Sequence, residues 1–194
     1  MLKEKLKNYN IILASGSPRR QQFFKTMDID FEIRLKDIEE IYPPQLKAEE
    51  ITDFLAELKA YAFKDELGPN DLLITSDTIV WHNGRALGKP KDYGDAFEIL
   101  KSLSDSTHEV ITSVCFKTLD ETTVFSEVTK VTFAELEDDA IAYYLENYKP
   151  YDKAGAYGIQ EWIGLTGITN IEGSYTNVVG LPTQKVYEFL SNLS

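Results

Sequence analysis

The run Ile11-Ile12-Leu13-Ala14-Ser15-Gly16-Ser17-Pro18-Arg19-Arg20 constrains this chain more than any other segment, because strand, loop and helix start follow one another without a break. Ile11 to Ala14 has the apolar continuity of a buried strand, and Ser15-Gly16 makes a tight loop. Ser17 then caps a helix whose first residue is Pro18, where a missing N–H and a fixed φ cost nothing. Arg19 and Arg20 fall in the first turn. That is the unfavourable end for a cation, since the helix dipole and its unsatisfied N–H groups are already positive there. Two readings stay open at this point. Either both guanidinium groups are solvated beside an ordinary cap, or they join the backbone donors in cradling an anion. A phosphate chain suits planar forks better than a lone carboxylate does.

With 194 residues, 43% of them apolar, the chain can bury a sizeable core as one domain or as two lobes sharing a cleft. Its 32 acidic residues outnumber 20 basic ones, and no long Lys/Arg run is present. That balance argues against a nucleic acid polymer as partner, which would need many phosphate contacts, but a single nucleotide needs only a local basic cluster. The one cysteine, Cys115, excludes an internal disulfide framework, and its setting in Val114-Cys115-Phe116 is that of a buried structural thiol. No apolar stretch approaches membrane-spanning length and no signal-peptide core follows Met1 to Lys7, so the expectation is a cytoplasmic protein with no membrane partner.

Beyond the first unit, Phe31 to Leu35 alternates as a half-buried strand does, and Asp37 to Pro44 is a loop. Ala48 to Lys64 carries Ile51, Phe54, Leu55, Leu58 and Ala62 at helical spacing, with Lys59 near the inner edge, and ends near Gly68-Pro69-Asn70. Leu72 to Trp81 is an apolar strand interrupted by Ser76-Asp77-Thr78, and Asn83-Gly84 turns it into a hairpin. A helix covers Ala96 to Leu103, capped by Asp92 or Asp95. Glu109 to Thr118 and Thr122 to Ala134 form a long hairpin, rich in Val, Thr and Phe. Asp138 to Asn147 is helical, Asn177 to Gly180 ends a strand, and Pro182 opens a last helix running to about Leu193. Strands and helices alternate early and hairpins dominate later, which makes a mixed α/β sheet flanked by helices the expected class.

Asp77 is the second informative position. A carboxylate inside Leu72 to Trp81 is costly unless it meets a cation or opens onto a cleft, or unless alternation turns it outward on an edge strand. Facing a cleft, it can hold a divalent metal, accept a proton from water, or do each at a different stage, which are the two tasks of phosphoanhydride hydrolysis. Glu39 and Glu40 offer hard oxygen ligands for Mg²⁺ or Mn²⁺, or form a solvated acidic loop. Lys59 and Lys89 can contact phosphate oxygens as point charges. Gly88-Lys89-Pro90 lacks the spacing and the Lys-Ser/Thr pair of a P-loop, and no Gly-x-Ser-x-Gly elbow supports a serine hydrolase. His82 and His108 flank turns and read as solvated, while Tyr143, Tyr144 and Tyr148 cover apolar surface. In Asp152 to Gln160 the small residues permit close approach of backbone to a planar ligand, and Gln160 can give a donor and an acceptor to a base edge.

In this order, Ala14 to Arg20, Ser76-Asp77-Thr78, Gly88-Lys89-Pro90, Asp152 to Gln160, Gly173-Ser174-Tyr175 and Val179 to Pro182 closely resemble the Maf-like family of nucleoside triphosphate pyrophosphatases. The resemblance implies an elongated mixed sheet like that of inosine triphosphate pyrophosphatases, two lobes around a nucleotide cleft, and frequently a homodimer. It also implies metal-dependent hydrolysis of a nucleoside triphosphate to its monophosphate and pyrophosphate. Carried over by position, it makes Asp77 the proton acceptor and places Ser15, Arg19, Arg20, Glu39, Lys59 and Lys89 in the substrate and metal pocket, with Glu39 and Asp77 as metal ligands. A one-residue shift in that loop exchanges Glu39 and Glu40. Arg19, Thr78 and Gln160 look like the branch that prefers dTTP and UTP. Departures from that branch are Ser76, commonly Ala, and Glu161-Trp162, where the family usually continues with Gly. A protein of a different class, a nucleotide-binding regulator of cell division or septum formation, would need the anion cradle but not Asp77.

Overall fold

A computed structural model describes residues 2–193 of the chain. The elements in order are α1 (Leu2–Leu6), β1 (Asn10–Leu13), α2 (Pro18–Thr26), β2 (Glu32–Ile33), α3 (Glu49–Tyr61), β3 (Asp71–His82), β4 (Arg85–Leu87), α4 (Tyr93–Leu103), β5 (Thr107–Lys117) and β6 (Thr122–Phe133). They continue with α5 (Asp138–Tyr148), a 3-10 turn at Ala154–Ala156, α6 (Trp162–Gly167), β7 (Ile168–Glu172), α7 (Tyr175–Val179) and α8 (Thr183–Ser191). The strands make one seven-stranded mixed sheet in the order β2-β1-β3-β5-β6-β7, with β4 paired to β3. β1 runs parallel to β2 and β3, whereas β4 and β7 pair antiparallel with β3 and β6.

The chain clusters into two compact units. The first holds the chain up to Asp77, Thr112–Glu127 and the chain from Gly180; the second holds Thr78–Ile111 and Val128–Val179. In the first unit, strand parity sorts the core. Ile11, Leu13, Leu72, Ile74, Val114 and Phe116 join Phe24, Val186 and Leu190 in one cluster, while Ile12, Leu73 and Cys115 join Ala56, Ala60 and Phe63 in another. Strands buried on both faces read as continuous apolar runs, which is why Ile11 to Ala14 and Leu72 to Ile74 show no alternation. The second unit packs α4 and α5 around Leu100, Leu103, Val110, Val131, Phe133, Ile141, Tyr144 and Leu145.

Local signals are met closely. Ser17 caps α2, its Oγ accepting the Arg20 N–H at 3.5 Å, and Pro18 is the first helical residue. Asp92, not Asp95, caps α4, accepting the Asp95 N–H at 2.9 Å. Asn83 and Gly84, with φ of 49° and 76°, link β3 to β4 as a hairpin. The strand expected over Leu72 to Trp81 is β3, which runs unbroken through the polar Ser76-Asp77-Thr78. Three expectations fail. β2 is only Glu32–Ile33 and exposed throughout rather than half-buried, because it is an edge strand supported by β1 alone. Asn177 to Val179 lies in helix α7 rather than ending a strand, since Ser174 Oγ accepts the Asn177 N–H as an N-terminal cap does. His82 and His108 are buried, at 5% and 2% exposure, because they lie within the neighbouring strands β3 and β5 rather than in the turns beside them.

Candidate functional site

Parity along β3 decides where Asp77 points. Leu73, Thr75 and Asp77 share the face that packs against α3, where Thr75 Oγ1 donates to the Ala56 carbonyl at 2.6 Å. Lys59 lies three residues further along α3, about 4.5 Å of helix, against roughly 6.6 Å of strand from Thr75 to Asp77. The lysine stem spans the difference. Its Nζ donates to Asp77 Oδ1 at 2.6 Å and lies 3.0 Å from Glu40 Oε1. The Asp77 side chain is 9% exposed and that of Lys59 15%, so the pair is largely withdrawn from water. Glu39 is exposed on the same loop, and its carbonyl accepts the Ile41 N–H. The structure thus brings Glu40, rather than Glu39, to Lys59.

The Ser15 to Arg20 loop is organised by its second arginine. Arg20 Nε donates to the Gly180 carbonyl at 2.8 Å, and Nη1 donates to the Ser76 carbonyl at 3.0 Å and to Ser15 Oγ at 3.4 Å. Ser15 is buried; its Oγ also accepts the Ser17 N–H, and its carbonyl accepts from Gln21. Desolvation lowers the Arg20 pKa from its ordinary value and the nearby Asp77 charge opposes that shift, but a guanidinium remains cationic. Arg20 therefore ties the helix start to β3 one residue before Asp77, and Arg19 stands beside it, half-buried. The buried Ser76 hydroxyl makes no hydrogen bond within the protein, so alanine at this position would forfeit none.

In the second unit, Thr78 is half-buried and follows Asp77 directly, while Lys89 and Gln160 are exposed. Lys89 lines a cavity of about 680 Å³ together with Arg85, Lys91 and Lys101, against Asp95 and Glu98. In the loop from Asp152 to Gln160, residues 155–159 are buried, and a Cβ on Gly155 would stand 2.5 Å from Val80 Cγ2, so the backbone at Gly155 closely approaches the unit's own core. Tyr144 is likewise fully buried, its hydroxyl engaged by Gly158 and Glu161. Burial pushes the Cys115 thiol up to about 12, which makes it inert.

The family model described as Maf-like protein matches residues 10–193. The chain belongs to the Maf-like family. A relative from Flavobacterium johnsoniae named dTTP/UTP pyrophosphatase is 71% identical over 193 residues, covering 100% of both chains. One from Flavobacterium psychrophilum, of the same name, is 67% identical and covers 99% of this chain and 98% of its own. Among solved structures, the Staphylococcus aureus Ham1 protein superposes with a TM-score of 0.52 at 18% identity, covering 95% of this chain and 100% of its own, which is a likeness of fold.

Within this Maf-like chain, Glu40, Ser76 and Gly180 are contacts that sequence reasoning did not single out as partners. Glu40 was legible only as one of two neighbouring carboxylates, and the other two act through backbone carbonyls, which no residue type announces. Among the described residues no three His, Cys, Asp or Glu side chains converge on one metal position. Asp77 and Glu40 do converge on one cation, the Lys59 ammonium, and both are hard oxygen donors. One or two carboxylates completed by substrate phosphates is the way Mg²⁺ is usually held, so the donor set fits such an ion. Among the described residues no helix is long and apolar enough to cross a membrane.

Proposed function

We propose that the chain is a nucleoside triphosphate pyrophosphatase that hydrolyses dTTP and UTP to the monophosphate and pyrophosphate. The observation that carries this reading is the Lys59–Asp77 pair, a carboxylate largely withdrawn from water and held by a cation beside an arginine-rich helix start. Full-length relatives named for this reaction support the substrate class.

Asp77 orients a water and accepts its proton as the oxygen attacks the α-phosphorus; the bond from that phosphorus to the α–β bridging oxygen breaks, and pyrophosphate leaves. Lys59, Lys89 and Arg19 contact phosphate oxygens as charged donors. Arg20 joins them in holding phosphate oxygens, while its Nε and Nη1 donors, which serve Gly180, Ser76 and Ser15, keep the strand end in register. Asp77 and one of the two neighbouring glutamates, Glu39 or Glu40, would hold Mg²⁺ or Mn²⁺, and the chemistry such an ion would supply when bound is neutralisation of the phosphate charge. Placement at Lys59 favours Glu40. Thr78 and Gln160 read the 2,4-dioxo edge of uracil or thymine, whose two carbonyl acceptors and one N–H donor differ from the cytosine pattern. The same reading carries a cytoplasmic location, where triphosphates are made and used, and a homodimer, which light scattering measures directly.

The test is product stoichiometry. Purified protein incubated with Mg²⁺ and dTTP, UTP, CTP, GTP or ATP should release equimolar monophosphate and pyrophosphate from dTTP and UTP, and EDTA should abolish the release. Orthophosphate as the product would overturn the cleavage site. Nucleotide binding without turnover would overturn the enzymatic reading.

A further inference from the structure

Gln160 sits in a tight turn. The Glu161 N–H donates to the Gly158 carbonyl at 3.0 Å, which leaves Ile159 and Gln160 at the centre, the first buried as an anchor and the second exposed. Both ends of that turn reach one hydroxyl. Tyr144 in α5 accepts the Gly158 N–H at its Oη, 3.0 Å away, and donates its own O–H to Glu161 Oε2. The other Glu161 oxygen, Oε1, lies 3.1 Å from Lys153 Nζ, whose side chain is 11% exposed and also pairs with Asp152 at 2.8 Å. Behind the turn, a Cβ on Gly164 would fall 2.1 Å from the Ile159 carbonyl oxygen, so only glycine lets α6 pack this closely. Burial, and then the Glu161 carboxylate, raises the Tyr144 pKa, which keeps the hydroxyl protonated and donating.

The geometry points to Tyr144 as a positioning residue for base selectivity: through its single hydroxyl, with Glu161 as intermediary, it clamps the turn that presents Gln160 to a pyrimidine. The inference rests on the reading of the chain as a dTTP/UTP pyrophosphatase. Discrimination by hydrogen bonding requires donors and acceptors held where the wrong base leaves them unpaired. With the turn released, the Gln160 amide samples more poses and meets a cytosine edge as readily as a uracil edge.

Tyr144→Phe removes the hydroxyl and keeps the ring that stacks on Tyr148 with centroids 5.1 Å apart. Steady-state kinetics on UTP and CTP should show the UTP KM rising about tenfold with kcat changed by less than about threefold, so that the UTP-to-CTP ratio of kcat/KM falls about tenfold. Glu161→Ala should lower the ratio similarly, whereas Glu161→Gln, which still accepts from Tyr144, should keep most of it. A purely structural role would depress both substrates alike and leave the ratio intact; an unchanged ratio in Tyr144→Phe and Glu161→Ala overturns the inference. If Tyr144→Phe does not fold, Glu161→Ala decides. Wild-type protein that turns over neither dTTP nor UTP overturns the underlying reading first, and this inference with it.

Discussion

The Lys59 ammonium stands 2.6 Å from the Asp77 carboxylate, on the face of β3 that packs against α3. One strand residue either way would point the carboxylate to the opposite face, away from α3. Removing Lys59 leaves Asp77 without its cation in a site poor in water. Lys59→Met should therefore lower kcat on dTTP by about 10²-fold, with Lys59→Arg retaining part of it. Steady-state rates at saturating nucleotide read this directly, and near wild-type kcat in Lys59→Met would detach the pair from the chemistry.

Arg19 and Arg20 should fail in different ways. Arg20→Lys cannot serve the Gly180 and Ser76 carbonyls together, and groups left short of donors cost about 1–3 kcal/mol. Thermal unfolding should drop by about 2–4 °C per kcal/mol lost. Arg19→Ala should raise the dTTP KM and lower the melting temperature by less than Arg20→Lys does. Equal melting temperatures for both variants would contradict the division of labour.

Acid should expose the buried histidine. His108 donates or accepts at Nε2 with the Tyr157 hydroxyl at 2.8 Å, and burial, with His82 a smaller contributor, lowers its pKa from 6.5 to about 3. The unfolded chain takes up this proton near pH 6.5 and the folded one only near pH 3. Between those values the unfolded state binds more protons, so stability falls as pH falls. The loss from this group between pH 7 and pH 5 is about 2 kcal/mol. Urea titrations of wild type and His108→Gln at both pH values isolate it, because the carboxylates contribute alike to both proteins. The same pH dependence in the two proteins would show that His108 does not titrate on unfolding.

How much could be read in advance depended on how local the cause was. The Ser17–Pro18 start of α2 and the Asn83-Gly84 hairpin are set within four residues, and both were legible. Lys59 and Asp77 were each legible as site residues, but their pairing depends on how β3 parity meets an α3 turn eighteen residues earlier in the chain. β7 was missed because an exposed edge strand carries no burial pattern, and Ile168–Glu172 has four of its residues exposed. The histidines misled because turn-flanking polarity suggested solvent, while neighbouring β3 and β5 bring the two rings within 6.5 Å of each other inside the core.

Gly155 tests the internal use of the Asp152 to Gln160 loop. Its φ is +70°, and an alanine Cβ there would meet Val80 Cγ2 at 2.5 Å. Gly155→Ala should destabilise by about 2–4 kcal/mol, from left-handed strain together with overpacking. Chemical denaturation measures it, and a change under about 0.5 kcal/mol would mean the loop is not held against the core.

Asp77→Asn keeps the shape and removes the negative charge, so dTTP should still bind while kcat falls by about 10²-fold or more. The decisive measurement is single-turnover release of dTMP and pyrophosphate from that variant, with nucleotide binding followed in parallel by calorimetry. Retained binding with turnover nearly abolished is the predicted result. Turnover close to wild type would contradict the assignment of Asp77 as the proton acceptor.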